Sequence, residues 1–227
     1  MKKNVKNKVY TKLLKAKVKI FNTAEHEVKI DKERFDEINI KYNKPEIVGH
    51  KYLNLKKHFH NYIYFAHLLY LNRMPNKRIL DIGSGMGYFP FICNNYGHNA
   101  YGMDTGQEPL YNSMTKMLGV YIFRQFIAPY QEINPIKNKF NIVTAFRIVF
   151  DRYPNNLSEL WNKEEWIYFL LDVKYKLLTN NGVICLMIDH SKYSKKNTNN
   201  IIKMLKEMNA DFINGGEIIR LNYKDIY

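Results

Sequence analysis

At 227 residues, with 46% hydrophobic and 15% aromatic content, the chain can bury a proper core and is not a disordered one. No apolar run approaches the roughly 20 residues that span a bilayer, and the lysine-rich start lacks the apolar core and cleavage site of a signal peptide. The net charge of +14 invites a nucleic-acid partner, but residues 1–20 hold eight lysines and no acid, which leaves only +6 on the other 207. The abundance of asparagine and isoleucine points to a compositional bias that raises lysine throughout. Cys93 and Cys185 lie in apolar segments with no metal-ligand spacing, so buried free thiols in a cytoplasmic protein are expected.

In chain order, Val5, Val9, Leu13 and Ala16 fall at helical spacing, and residues 1–45 read as a basic, helical N-terminal extension. Within it, Asp31 to Asn39 predicts a short helix, and Pro45 is a break. Tyr52 to Leu71 is apolar and aromatic, with His58, His60 and His67 embedded in it, and its length predicts one capping helix beside the first strand. Beyond Pro75 strands and helices alternate through residues 46–227, the main domain. Arg78 to Ile82, Asn99 to Met103, Val120 to Phe126, Phe140 to Phe146 and Val183 to Ile188 are the predicted strands. Helices are expected at Tyr88 to Tyr96, Glu108 to Leu118, Trp161 to Leu178 and Asn197 to Asn209, with Thr179-Asn180-Asn181-Gly182 as a closing turn. Two last strands, Ala210 to Ile213 and Glu217 to Asn222, flank Asn214-Gly215-Gly216 as a tight hairpin. Alternation of this kind forces a parallel sheet with helices on both faces, here closed by an antiparallel pair.

The first strand runs into Asp81-Ile82-Gly83-Ser84-Gly85-Met86-Gly87. Tyr88-Phe89 follows the last glycine where a phosphate-binding P-loop needs Lys-Ser/Thr, so that site is excluded. A dinucleotide fingerprint needs Gly-x-Gly-x-x-Gly; this turn is one residue short, and Tyr88 stands where a small residue should pack helix on sheet. A ligand without pyrophosphate needs close backbone approach plus an acid for an ammonium group, and Asp81 is that acid. Asp104, 21 residues after Gly83 at the end of the second strand, can accept both hydroxyls of a ribose. The two acids together describe a nucleoside bearing an amino-acid tail. The plainer alternatives are a tight strand-to-helix connection and, for Asp104, a helix N-cap.

From Arg78 onward the chain resembles the class I S-adenosylmethionine-dependent methyltransferases. Ile79 to Gly87 matches their first motif, Asp104 their ribose acid, and the closing hairpin their doubly wound, Rossmann-like seven-stranded α/β sheet of order 3-2-1-4-5-7-6 with the last strand antiparallel. The segments 87–91, 140–146 and Trp161-x-x-Glu164-Glu165-Trp166 look like a bacterial subgroup linked to cell-surface polysaccharide synthesis. The resemblance implies S-adenosylmethionine as cofactor. Asp81 would hold its amino group, Gly83, Ser84, Gly85 and Gly87 its methionine part, and Asp104 with Thr105 its ribose. The loop Ile127-Ala128-Pro129 would cover the adenine, with Ala128 against it; no acid follows there until Glu132.

Ligands of such sheets bind at the carboxyl ends of the strands. The Asn/Asp-Pro-Pro-Tyr/Phe motif of nucleobase amino-group methylases is absent after the fourth strand. Arg147 and Arg152 in that loop suit an anionic acceptor. A general base for a hydroxyl acceptor is sought in His190 and Asp151, with Asp189, His58 and His60 as further options, although histidines in an aromatic helix are more often packed core residues. No His/Asp/Glu set has metal spacing, so no metal is expected. The leading reading is O-methylation of a sugar or nucleotide-linked sugar. An RNA methyltransferase using the lysine-rich arm is the second, and a cofactor-binding protein without catalysis the third.

Overall fold

The computed structural model describes residues 23–152, 156–188 and 195–227. The lysine-rich arm and its expected helix, and Asp189 and His190, lie outside the described residues. Among the described residues no helix is long and apolar enough to cross a membrane. The described residues fall into two compact units, residues 23–77 with 84–124 and the described residues of 78–83 with 125–227. Their strands make one seven-stranded sheet.

In the first unit, α1 (Lys32–Tyr42) begins where the Asp31 carboxylate accepts the Arg34 amide at 3.0 Å and runs three residues past the expected Asn39. The expected helix over Tyr52 to Leu71 is shorter. A 3-10 turn, His50–Leu53, leads to Asn54, whose side chain accepts the Lys57 amide and starts α2 (Leu55–Leu68) afresh. Asparagine does this because its amide competes for backbone hydrogen bonds and prefers the cap to the helix interior. Left-handed Tyr70 (φ 58°) then turns the chain into a second 3-10 turn, Leu71–Arg73. Helix α2 packs on α3 (Tyr88–Asn95) through rings: Phe59 stacks on Phe91 at 5.8 Å and meets Tyr88 edge-on at 5.5 Å. Phe59 and Phe89 are fully buried. Strand β2 (Asn99–Asp104), helix α4 (Pro109–Met117) and the three-residue β3 (Ile122–Arg124) complete this unit, β2 and β3 pairing in parallel.

In the second unit, β1 (Arg78–Ile82) pairs in parallel with β4 (Phe140–Phe146), and β4 with β7 (Leu178–Met187). Strand β4 is apolar because both its edges and both its faces are covered, and Val143, Thr144 and Ala145 have no exposure at all. The expected turn at 179–182 is not a turn between elements. Between the Phe140–Leu178 and Ile142–Val183 pairs, β4 advances two residues and β7 five, so Thr179 to Gly182 forms a bulge inside the strand. Residues 146–154 were expected as a loop; the chain instead makes a small antiparallel ribbon of β5 (Asp151–Arg152) and β6 (Asn156–Leu160). What roots it is an aromatic cluster in which Phe150 lies 4.7 Å from Trp161 and 4.5 Å from Trp166.

Helix α5 (Lys163–Lys176) opens on a full capping box, Asn162 accepting the Glu165 amide at 2.9 Å and Glu165 accepting the Asn162 amide at 2.7 Å. Helix α6 (Lys195–Glu207) buries Ile201, Met204, Leu205 and, just past its end, Met208, an i, i+3, i+4, i+7 stripe. The hairpin of β8 (Asp211–Ile213) and β9 (Ile218–Asn222) follows, β9 running antiparallel to both its neighbours. The sheet order is β3-β2-β1-β4-β7-β9-β8. Counting only sheet strands, this is 3-2-1-4-5-7-6 with the last strand reversed, the order that the resemblance implies.

Replacing Asn162 by Ala removes one half of the capping box. The urea midpoint is expected to fall by the equivalent of about 1 kcal/mol with an unchanged m-value.

Candidate functional site

The glycine turn is shared by the two units, Gly83 ending a stretch of the second and Ser84 beginning a stretch of the first. In the first unit Asp104 ends β2 with its carboxylate held by the backbone. The Gly85 amide donates to Oδ2 and the Thr105 amide to Oδ1, both at 2.8 Å. Gly85 presents its amide from a left-handed conformation (φ 53°), which glycine adopts without strain. A carboxylate has about four lone-pair directions, so two amides fix its plane and leave capacity for a diol. Thr105 folds back, its hydroxyl 3.4 Å from Asp104 Oδ1 and accepting the Gln107 amide at 3.3 Å.

Tyr111, projecting from α4, stands over Gly85. A Cβ at Gly85 would lie 3.8 Å from its Cε2, and one at Gly49 would lie 2.4 Å from its Cε1, so the ring edge rests between these two glycines. Burial pushes the Tyr111 hydroxyl up to about 12, with Tyr52, Asp104 and Glu108 pushing the same way, so the phenol stays a neutral donor at ordinary pH. Ser84 is buried, its amide donating to Met103 O at 3.2 Å. Its Oγ has no hydrogen-bond partner among the described residues and lies 2.6 Å from where a Gly102 Cβ would be. Ser84 therefore points at β2. Gly87 faces Thr115 and Val120, a packing contact with the end of α4 and the approach to β3.

In the second unit Asp81, only 4% exposed, lies beside Thr144 in the β1–β4 register. The fully buried Thr144 hydroxyl donates to Asp81 Oδ1 at 2.6 Å. Gly83 is left-handed (φ 68°), and a Cβ there would sit 2.5 Å from Ile148 Cδ1. Arg147 follows β4 directly, is exposed and is itself left-handed (φ 58°), its amide donating to Met187 O at 3.1 Å. Positive φ in an arginine is a strained conformation of the kind that gathers at functional loops. Asp151 and Arg152 lie on β5, where their backbones pair with Leu160 and Asn156. Cys185, in register with Thr144, is fully buried and burial pushes its thiol up to about 12, an inert group.

The segment carrying Ala128 is tied to its own unit. Gln125 accepts the Asn134 amide and donates to Glu132 O, while the Ile133 amide donates to Asp172 at 2.5 Å. Lys176 bridges Asp172 and Glu132, both at 2.9 Å. Glu132 is thus engaged with a lysine, and Ala128 is half-buried with its carbonyl accepting the Gln131 amide.

The histidines of α2 pack. His58 is buried and stacked on Tyr88 at 5.8 Å, while the half-buried His67 lies 3.2 Å from the Tyr96 hydroxyl, burial lowering its pKa from the usual value. His60 is half-buried on the same helix. Three side chains escaped the sequence reading. Thr144 was visible only as a hydroxyl residue in an otherwise apolar stretch of strand. Tyr111 had no signal beyond its place in a helix, and Ile148 none at all.

No family model and no curated protein matches the chain. Among solved structures, it is similar to a ribosomal protein L11 methylase from Lactobacillus delbrueckii subsp. bulgaricus, with 17% identity over 72% of this chain and 78% of that one and a TM-score of 0.45. A TehB-like SAM-dependent methyltransferase from Corynebacterium glutamicum gives 13% identity over 72% of this chain and 96% of that one, with a TM-score of 0.46. SAM-bound CalS10, an amino pentose methyltransferase from Micromonospora echinaspora, gives 15% identity over 60% of this chain and 52% of that one, with a TM-score of 0.42. At such identities and scores, function has to be argued from this chain's own residues.

Gly83→Ala adds a Cβ against Ile148 and imposes a left-handed alanine. It is expected to cost roughly 2–4 kcal/mol in urea unfolding, and Gly83→Ala/Ile148→Ala to recover the steric part but not the backbone part. An alanine variant as stable as wild type would contradict the tight approach of Ile148.

Proposed function

We propose that the chain is an S-adenosylmethionine-dependent methyltransferase that methylates an oxygen of a small acceptor, a sugar or nucleotide-linked sugar of surface-polysaccharide synthesis. The observation that carries the cofactor reading is the Asp104 carboxylate, held at the end of β2 by the Gly85 and Thr105 amides. An acid fixed in this way suits the two hydroxyls of a ribose, while a phosphate would meet repulsion there. Asp81, a buried carboxylate of the second unit, is the proposed partner of the cofactor's ammonium group. The two acids support the cofactor reading.

When bound, the sulfonium supplies an activated methyl group, so the chain has no leaving group to activate. Its own residues bind, orient and exclude water, and alignment of a bound acceptor removes several kcal/mol of barrier. The acceptor oxygen forms a bond to the methyl carbon as the carbon–sulfur bond breaks, and the hydroxyl proton passes to a base. Asp151 and His190 are the proposed bases, and Arg147 with Arg152 the proposed anchors for an anionic group on the acceptor. The exposed, left-handed position of Arg147 immediately after β4 supports this reading.

Calorimetric titration of the purified protein with S-adenosylmethionine tests the reading, with Asp104→Asn as the first variant because it keeps the side chain's shape. Wild-type protein is expected to bind and Asp104→Asn to lose tenfold or more, the effect of about 1.5–3 kcal/mol for hydrogen bonds to a charged group. Unchanged affinity in that variant would remove Asp104 from the site. His190→Ala and Asp151→Asn are expected to lower turnover on an acceptor while sparing cofactor affinity; wild-type turnover in both would remove them as bases.

A further inference from the structure

Asp81 and Thr144 form a buried side-chain hydrogen bond between β1 and β4. β1 and β4 are adjacent parallel strands, and their register sets Asp81 directly across from Thr144. Side chains at one register level project to the same face, so the pair is dictated by sequence once the strands pair. Thr144 is fully buried and Asp81 nearly so. The Thr144 hydroxyl has one proton and two acceptors in reach, Asp81 Oδ1 at 2.6 Å and Leu80 O at 3.4 Å. The short distance and the charge on the acceptor direct it to the carboxylate.

Resting on the methyltransferase reading above, we propose that Thr144 is a positioning residue for the amino-acid end of the cofactor: its hydroxyl fixes the Asp81 carboxylate, which in turn holds the cofactor's ammonium group. A β-branched threonine is stiff at χ1, so its hydroxyl direction is set by the strand. It immobilises one oxygen of Asp81 and thereby the plane of the carboxylate. Being neutral, it stabilises the ionised acid without cancelling its charge. A lysine or arginine at position 144 would have neutralised the acid and competed with the ammonium group. Valine would have filled the same volume and left Asp81 Oδ1 without this donor. A hydroxyl residue in mid-strand is the choice that keeps the acid both oriented and charged.

The test is calorimetric binding of S-adenosylmethionine and of 5′-methylthioadenosine, which has the nucleoside but no amino-acid tail, to wild type, Thr144→Val, Thr144→Ser and Asp81→Asn. Thr144→Val is expected to weaken S-adenosylmethionine about tenfold, the effect of one hydrogen bond to a charged group, while leaving 5′-methylthioadenosine unchanged. Thr144→Ser restores wild-type binding, and Asp81→Asn shows the same selective loss. A merely structural role would weaken both ligands alike in Thr144→Val and would overturn the proposal. Selective loss in Asp81→Asn with none in Thr144→Val overturns the role of Thr144 and leaves the role of Asp81 standing. Wild-type protein that binds neither ligand overturns the methyltransferase reading itself, and the proposal with it.

Discussion

A carboxylate at the end of a half-buried strand must be satisfied, and in this protein the backbone satisfies it. Gly85 and Thr105 turn their amides onto the two oxygens of Asp104, one from the glycine turn and one from the residue that follows the acid. The arrangement depends on left-handed backbone at Gly85, a conformation that glycine adopts without strain. In return the carboxylate defines the conformation of the turn. Tyr111 then stands over Gly85 with a phenol that burial keeps protonated, and Arg124, the register partner of Asp104 on β3, donates its guanidinium to the Gly106 carbonyl.

The strands themselves were legible because they rest on strong local signals, apolar runs ending in glycine turns and a Gly-Gly hairpin near the C-terminus, whereas their order in the sheet came from the resemblance alone. The acids at 81 and 104 were legible for the same reason, each ending or closing such a run. Element ends were less so. Asn54 divides what hydropathy reads as one helix, because a side-chain amide can cap a helix wherever the chain allows it, and nothing in the periodicity marks that choice. The Thr179–Gly182 stretch has the composition of a turn, yet it is held inside β7 by pairing on either side of it. The β5–β6 ribbon escaped notice because what roots it, the ring cluster of Phe150, Trp161 and Trp166, joins residues separated in sequence.

Site chemistry shows the same division. Glycine spacing could be read directly, but which way a side chain points could not. Ser84 belongs to the motif and nevertheless faces Gly102 of β2, because that glycine leaves room for it. Thr144 acts on Asp81 from the neighbouring strand, a relation that exists only after β1 and β4 have paired in register. Arg147 could be guessed as an anion ligand from its charge and position, whereas its left-handed backbone is a property of the folded loop alone.

The proposed reading makes the glycine turn with Asp104 a site for an aminoacyl nucleoside and not for a phosphate-bearing nucleotide. Titrating the wild-type protein in parallel with S-adenosylmethionine, NAD and ATP tests it most directly. The account predicts saturable binding of S-adenosylmethionine and none of the other two, since the turn is one residue short of a dinucleotide fingerprint and has Tyr88-Phe89 where a P-loop needs Lys-Ser/Thr. Binding of NAD or ATP as tight as that of S-adenosylmethionine would contradict it.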